Sequence, residues 1–411
     1  MAKLLLEGIR VVESSMLLNG ASTTMMLADL GAEVIKVESP FLGDYIRAPD
    51  TAHMHRQVNR AKRSIALDLR RSEGQVILAR LIATADIFVT NAVGARNGKL
   101  GLDYESLRAI KPDIIYCQNT GFGATGPWSE VPTHGQMMDA ISGAMPVDMD
   151  EDGLTIASPR YARRTGSLVS AGEGTAAGAI YSAFHIAAAL AYRDRTGDGC
   201  YLDTSSAAAV IASGWTAAAA MLNVPGRTGW WQDEANTRPI ARYQSYRTAD
   251  GRFILLCPEE RKFWQGFCEA VDRPDLIERE RGIALRHELQ AIVGAHDLAY
   301  WMDMAVTHRL PIGPVHDGVE AVRSDPQMTA REIFGRDKEG HVIVRQPVLV
   351  DGAASPLGTP APDLGQDTDV LLAELGYDEA EICALREKEV THASARDEGH
   401  ISRAIFGNAT D

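Results

Sequence analysis

One carboxylate is set apart by its neighbours. Glu173 stands between Gly172 and Gly174, where Thr165-Gly-Ser-Leu-Val-Ser-Ala-Gly gives way to Thr175-Ala-Ala-Gly-Ala-Ile-Tyr181. It is the only acid between Asp152 and Asp194. Length and alanine content predict a helix over 175–192, with Gly197 or Gly199 beyond its stop. The partial positive charge at a helix N-terminus favours an ionised carboxylate at 173. A glycine on either side lets a second molecule come close to the backbone. These features describe an anion offered to a ligand. They also describe a plain helix cap, and at this level both readings stand.

Other chemistry-bearing residues are scattered. His134 lies in a loop behind Pro127-Trp-Ser-Glu-Val-Pro-Thr, where a histidine bonded only to backbone is the plain alternative to a base. His53 and His55 are two apart with no third ligand nearby, and His308 stands alone, so no metal is expected. The five cysteines (117, 200, 257, 268, 383) form no CxxC pair and are odd in number, which predicts reduced thiols and a cytoplasmic protein. Gly121-Phe-Gly-Ala-Thr-Gly126 fits GxGxxG, but Pro127-Trp-Ser opens no helix after it, so a dinucleotide site is poorly supported.

Alternating strands and helices must position these groups. Strands are expected at 9–13, 32–38, 63–67, 87–90, 114–118 and 201–205, with helices at 21–30, 72–84, 104–110 and 206–222. Alternation of this kind predicts an open α/β sheet, mostly parallel, with ligands at the carboxyl ends of its strands. The loops to search are therefore 14–20, 39–47, 91–99 and 119–134. After the break at Pro225-Gly-Arg-Thr-Gly229 the texture changes to a hairpin around Ala249-Asp-Gly251, then helices at 260–271 and 287–309. A strand pair around 342–350 and a helical stretch at 369–387 follow, and the polar tail after Glu387 is expected to fray or wrap a neighbour. The expected division is a large α/β domain from residues 1–225 and 326–411, with a smaller α+β domain at 226–325.

At 411 residues the chain has room for such a core. A net charge of −14 argues against nucleic acid as a main partner. The apolar run 176–192 approaches membrane length, but Ala and Gly dominate it and Ser182 and His185 interrupt it, so a buried helix is expected and no membrane span. Met1-Ala-Lys-Leu-Leu-Leu-Glu-Gly is too short an apolar run for a secretion signal.

Several phrases occur in one order: Gly8-Ile-Arg-Val-Val-Glu13, Leu27-Ala-Asp-Leu-Gly-Ala-Glu-Val-Ile-Lys-Val-Glu38, Lys62-Arg-Ser-Ile-Ala-Leu-Asp-Leu69 and Ala85-Asp-Ile-Phe-Val-Thr-Asn91. Gly121-Phe-Gly-Ala-Thr-Gly-Pro127, Arg193-Asp-Arg-Thr-Gly-Asp-Gly199, Tyr246-Arg-Thr-Ala-Asp-Gly251 and Gly313-Pro-Val315 continue it. Together they resemble the class III CoA-transferase superfamily, which includes the formyl-CoA and carnitine CoA-transferases and the α-methylacyl-CoA racemases. The resemblance covers nearly the whole chain. It implies an interlocked homodimer acting on an acyl-CoA and a carboxylic acid, with CoA as substrate and no tightly bound cofactor.

The resemblance also implies site residues. Family transferases use an aspartate beside this helix, whose carboxylate attacks the thioester to give an anhydride and then an enzyme-bound CoA thioester. Counting back from Arg193 puts Thr175 at that place, with Glu173 two residues earlier. Threonine cannot form the anhydride, so either Glu173 serves or the transferase chemistry is lost and the chain is a racemase or a non-catalytic acyl-CoA binder. The racemase reading rests on His134, where transferases usually carry Tyr and racemases a basic His, and on Glu260, which resembles the partner of that His. On the CoA side, Asn91 resembles the family's CoA-loop asparagine, Lys99 falls where a cation would meet the nucleotide phosphates, and Lys62 and Arg63 could add phosphate contacts. Trp128, Trp230 and Trp231 could line an acyl pocket.

Overall fold

The structure, a computed structural model, describes residues 3–94, 96–143, 145, 147–157, 173–225 and 240–392. Seven strands form one sheet: β1 (Arg10–Ser14), β2 (Glu33–Glu38), β3 (Lys62–Leu67), β4 (Ile87–Thr90), β5 (Ile115–Thr120), β8 (Cys200–Ser205) and β14 (Thr391–His392). Their order is β14-β3-β2-β1-β4-β5-β8, and only the edge strand β14 runs antiparallel, against β3. Val11, Val12, Ile35, Ile65, Ile87, Phe88, Val89 and Ile115 are fully buried, as expected of strands covered by helices on both faces.

Crossover helices join the strands: α1 (Asn19–Asp29), α2 (Ala52–Asn59), α3 (Ser72–Ala83), α4 (Arg96–Lys99) and α5 (Tyr104–Ile110). After β5 come the short helix α6 (Gly135–Ile141) and a hairpin of β6 (Val147–Met149) with β7 (Thr155–Ala157). The long helix α7 (Glu173–Thr196) leads into β8 and then α8 (Ser206–Ser213). The chain leaves β1 toward β2 on one side, and β4 lies on the other, so strand order reverses between β1 and β4. A crevice opens at such a reversal, beyond the carboxyl ends of the two strands.

The long alanine-rich stretch is a helix, running from Glu173 to Thr196 rather than 175–192. By length and composition α7 is apolar enough to cross a membrane, yet half of its most apolar window is buried in the fold. Its small residues explain the placement. Gly174, Ala177, Gly178 and Ala179 are buried, and a side chain at 178 would collide with Ser206. α7 therefore lies close against α1, α8 and the sheet.

The chain divides into two compact units. Among the described residues, one comprises the chain through Ser213 together with Pro326–His392, and the other Gly214–Asp325. The division falls at Gly214, ahead of the Pro225 break, because the stretch read as one helix over 206–222 is two: α8 and α9 (Trp215–Asn223). The second unit holds the antiparallel sheet β11-β10-β9, in which the hairpin β9 (Gln244–Arg247) and β10 (Phe253–Leu256) is joined by β11 (Ile312–Val315). Helices α10 (Arg261–Ala270), α11 (Ile283–Val293) and α12 (Leu298–His308) enclose its own core around Trp264, Phe267 and Trp301. The helix expected over 287–309 is likewise two, because Asp297 caps a fresh start by accepting from Tyr300 N. The second unit closes with α13 (Val319–Arg323), and the first resumes with α14 (Pro326–Ala330), followed by the strand pair β12 (Phe334–Arg336) and β13 (Val342–Val344), earlier in the chain than expected. The terminal helical stretch is split into α15 (Thr368–Glu374) and α16 (Glu379–Glu387), whose Leu371, Leu372, Ile382 and Leu385 join the core over β3.

Candidate active site

The crevice is built from its floor upward. Glu13, near the end of β1, is fully buried and accepts from Lys36 Nζ, Lys62 Nζ, Ser15 Oγ and Thr24 Oγ1 at 2.6–2.7 Å. Lys36 also meets Asp44 at 2.9 Å, and Glu38 is held by Arg47 at 2.7 Å. Burial alone would raise the Glu13 carboxyl, but the two ammonium groups hold it well below the carboxylate range. Burial resists the charge on Lys36 as well, and Glu13 and Asp44 overcome it and hold its pKa up. Burial, opposed by Glu13 but aided by the nearby Lys36 charge, brings Lys62 down to about 8. His55 is held neutral, its pKa lowered to about 3 by burial and then by Arg47.

This ionic floor fixes the loop between β1 and α1. Lys36 Nζ donates to Ser15 O at 3.0 Å, and Asp44 Oδ1 accepts from Leu17 N at 2.9 Å. Leu17 has a φ of 61°, a left-handed conformation that these bonds hold in place. Across the strand-order reversal, Asn91 grips the same loop with both ends of its carboxamide. Its Oδ1 accepts from Met16 N at 3.1 Å and its Nδ2 donates to Met16 O at 2.6 Å.

Above the loop, a neutral network gathers helix starts from three parts of the chain. Asn19, the first residue of α1, donates to Ser206 Oγ at the head of α8, and its Oδ1 accepts from Thr175 Oγ1 at 3.4 Å in the first turn of α7. Ser206 Oγ donates to Asn119 Oδ1 at 2.8 Å, and Asn119 Nδ2 donates to Thr23 Oγ1 at 3.2 Å. Glu173 opens α7 and is half-buried, whereas Thr175 is only 8% exposed with its hydroxyl turned inward. Asp139, buried on α6, accepts from Gly174 N at 2.8 Å. Glu173, half-buried, and Asp139, buried, thus flank the positive end of a long helix.

Lys62 and Arg63 require correction. The Lys62 ammonium is buried and divided among Glu13, Asn59 and Ala21 O, which leaves no donor for a phosphate. Arg63 sits at the start of β3, paired with Glu33 and Glu374 at the amino ends of the strands, away from the crevice. Asn91 lies at the crevice, but its carboxamide bonds Met16 rather than facing a ligand. Lys99 is exposed at the end of α4. His134 is exposed and precedes the first residue of α6. Glu260 precedes α10 in the second unit. Trp128 is half-exposed beside Phe122, and Trp230, Trp231, the loop 165–172 and the tail beyond 392 lie outside the described residues. All five cysteines are free. Asn19, Asn119, Ser206 and Asp139 escaped the reading of the sequence. A single Asn or Ser at a helix start marks a cap, not a meeting of distant segments.

Known proteins align with this chain over nearly its full length. The model of CoA-transferase family III matches residues 6–368. The chain is 32% identical over 400 residues to succinate–glutarate CoA-transferase of Agrobacterium fabrum, covering 90% of this chain and 95% of that one. It is 29% identical over 398 residues to acetyl-CoA:oxalate CoA-transferase of Acetobacter aceti, covering 91% and 96%. A CAIB/BAIF family protein from Brucella suis, 28% identical, superposes with a TM-score of 0.70 over 91% of this chain and 100% of that one.

Proposed function

This chain belongs to CoA-transferase family III, and on that footing we propose that Glu173 is the carboxylate through which it works. The enzyme transfers CoA from an acyl-CoA thioester to a carboxylic acid. The observation that carries the assignment is the contrast at the head of α7. Thr175, at the place of the family nucleophile, is buried and bonded to Asn19, while Glu173 opens the helix half-buried, with part of its surface exposed.

The steps follow from carboxylate chemistry. A Glu173 oxygen adds to the thioester carbonyl, the C–S bond breaks, and CoA leaves as a thiolate, giving a mixed anhydride. The thiolate then attacks the glutamyl carbonyl and expels the donor acid as its carboxylate. The acceptor carboxylate attacks the resulting glutamyl thioester and releases the thiolate again. That thiolate takes the acceptor's acyl group, which returns Glu173 as a free anion. No external proton or electron is needed. The field of the helix N-terminus favours the ionised nucleophile, and splitting the exchange over four acyl transfers replaces one difficult step with easier ones.

The crevice between β1 and β4 is where CoA enters in this reading, with Lys99 toward its phosphates. Short dicarboxylic acids are the acceptor class to try first, because the relatives are named for succinate, glutarate and oxalate. A homodimer completes the enzyme. Ile180 and Phe184 on α7, Ile211 on α8, and Val147, Met149, Leu154 and Ile156 around the β6–β7 hairpin are exposed, and apolar surface on this scale marks an interface.

Incubating the enzyme with succinyl-CoA, trapping with hydroxylamine and mapping the modified peptide tests the assignment. Glu173 should carry the hydroxamate, and Glu173→Gln should lower transfer by at least ~10³-fold with the fold intact. Full transfer by that variant would remove Glu173 from the mechanism.

A further inference from the structure

The catalytic helix is anchored from outside itself. Gly174 N is one of the first-turn donors that an α-helix cannot satisfy internally, and such groups are usually met by the residue just before the helix. Here the acceptor is Asp139 Oδ1, at 2.8 Å, thirty-five residues earlier and on another helix. The contact is close because residue 174 is glycine. A Cβ there would lie 2.6 Å from Met138 Cβ and 3.2 Å from Asp139 Oδ1. Asp139 is 4% exposed, and Met138 beside it is 1% exposed and 3.4 Å from Asn19 Nδ2. α6 therefore touches both sides of the site, the head of α7 and the head of α1.

We propose that Asp139 is a positioning residue for CoA transfer, its carboxylate pinning the Gly174 amide so that the adjoining Glu173 is presented at one fixed height and angle. The proposal rests on the reading of Glu173 as nucleophile. Attack on a thioester requires the oxygen within about 3–3.5 Å of the carbonyl carbon and in line with it, and a 1 Å displacement can cost on the order of 10²-fold in rate. An anchor one residue from the nucleophile controls that distance directly. In this proposal the effect runs through the bond to Gly174 N, so a side chain with a carbonyl oxygen in the same place should replace Asp139.

Three variants and two measurements test this. The steady-state rate with succinyl-CoA and a dicarboxylate gives kcat and KM, and rapid quench into hydroxylamine gives the rate of acyl-enzyme formation. Asp139→Ala should lower kcat and the trapping rate together by about 10²-fold, with the KM for succinyl-CoA changed less than about threefold. Asp139→Asn, which keeps the acceptor for Gly174 N, should recover all but about fivefold of that loss. Circular dichroism and the concentration of folded enzyme normalise each rate, so a variant that merely unfolds does not imitate the result. Unchanged kcat in Asp139→Ala, while Glu173→Gln is inactive, overturns the positioning role alone. Loss in Asp139→Asn as deep as in Asp139→Ala overturns it too, since charge rather than the bond would then matter. If Glu173→Gln still forms the trapped species while both Asp139 variants do not, the Glu173 reading fails instead, with Asp139 as the attacking group.

Discussion

Two polar regions lie one above the other at the end of this sheet, and they are built on opposite principles. The floor around Glu13, Lys36, Asp44, Glu38 and Arg47 is densely charged, and each charge is matched by another. The network above it, from Asn19 through Ser206 and Asn119 to Thr23, is neutral, with Glu173 on the head of α7 and Asp139 on α6 at its margin. A search guided by charge density or by perturbed ionisation alone would choose the floor. Yet charges committed to one another have no capacity left for a substrate. The carboxylate proposed as nucleophile, Glu173, lies outside that floor, at the head of α7. The lower region shapes the Ser15–Leu17 loop, and the upper one adjoins the proposed nucleophile.

That contrast predicts separable effects. The largest is the loss of transfer in Glu173→Gln, with unfolding behaviour close to wild type. Next comes Lys36→Met, which leaves Glu13 and Asp44 buried with one cation fewer and should cost about 3–5 kcal/mol of stability by urea denaturation. A loss under ~1 kcal/mol would mean that the floor is not the structural region described here.

Acidification should strike the floor in a defined window. Burial would raise Glu38, but Arg47 carries it down to about 2, so its contribution is whole above its ordinary 4.5 and is lost as pH falls toward 2. His55 acts in the same direction. The unfolded chain protonates it near 6.5 and the folded one only near 3, so stability should decline by at most about 2–3 kcal/mol as pH falls from 6.5 to 4.5. His55→Leu should flatten the melting temperature over that interval, and an unchanged slope would remove His55 from the account. Gly174→Ala is the smallest perturbation, about 1–3 kcal/mol from the clash with Met138. Its activity per folded molecule should fall along with its stability, because the added carbon displaces the head of α7. Lys36→Met should show the opposite balance, with stability affected more than rate.

Much of this was legible in the chain itself. Periodicity placed β1 through β5, the hairpin at 244–256 and α7, because strands covered on both faces and a long alanine-rich helix announce themselves locally. The ordered phrases identified the family, since many short matches in sequence do not depend on geometry. The sequence also set Glu173 apart as the only acid between Asp152 and Asp194. It could not say that Lys62 lies beneath the crevice rather than in it, because Glu13, its counter-ion, is forty-nine residues away and the pairing exists only once β1 and β3 share a sheet. It set Thr175 aside on chemical grounds, but it could not give how far either residue is buried, because exposure at a helix head depends on what packs there. Asp139 had no signal at all. Its role arises from α6 meeting α7 at a glycine, a contact between segments that the linear order keeps apart and only the packed core brings together.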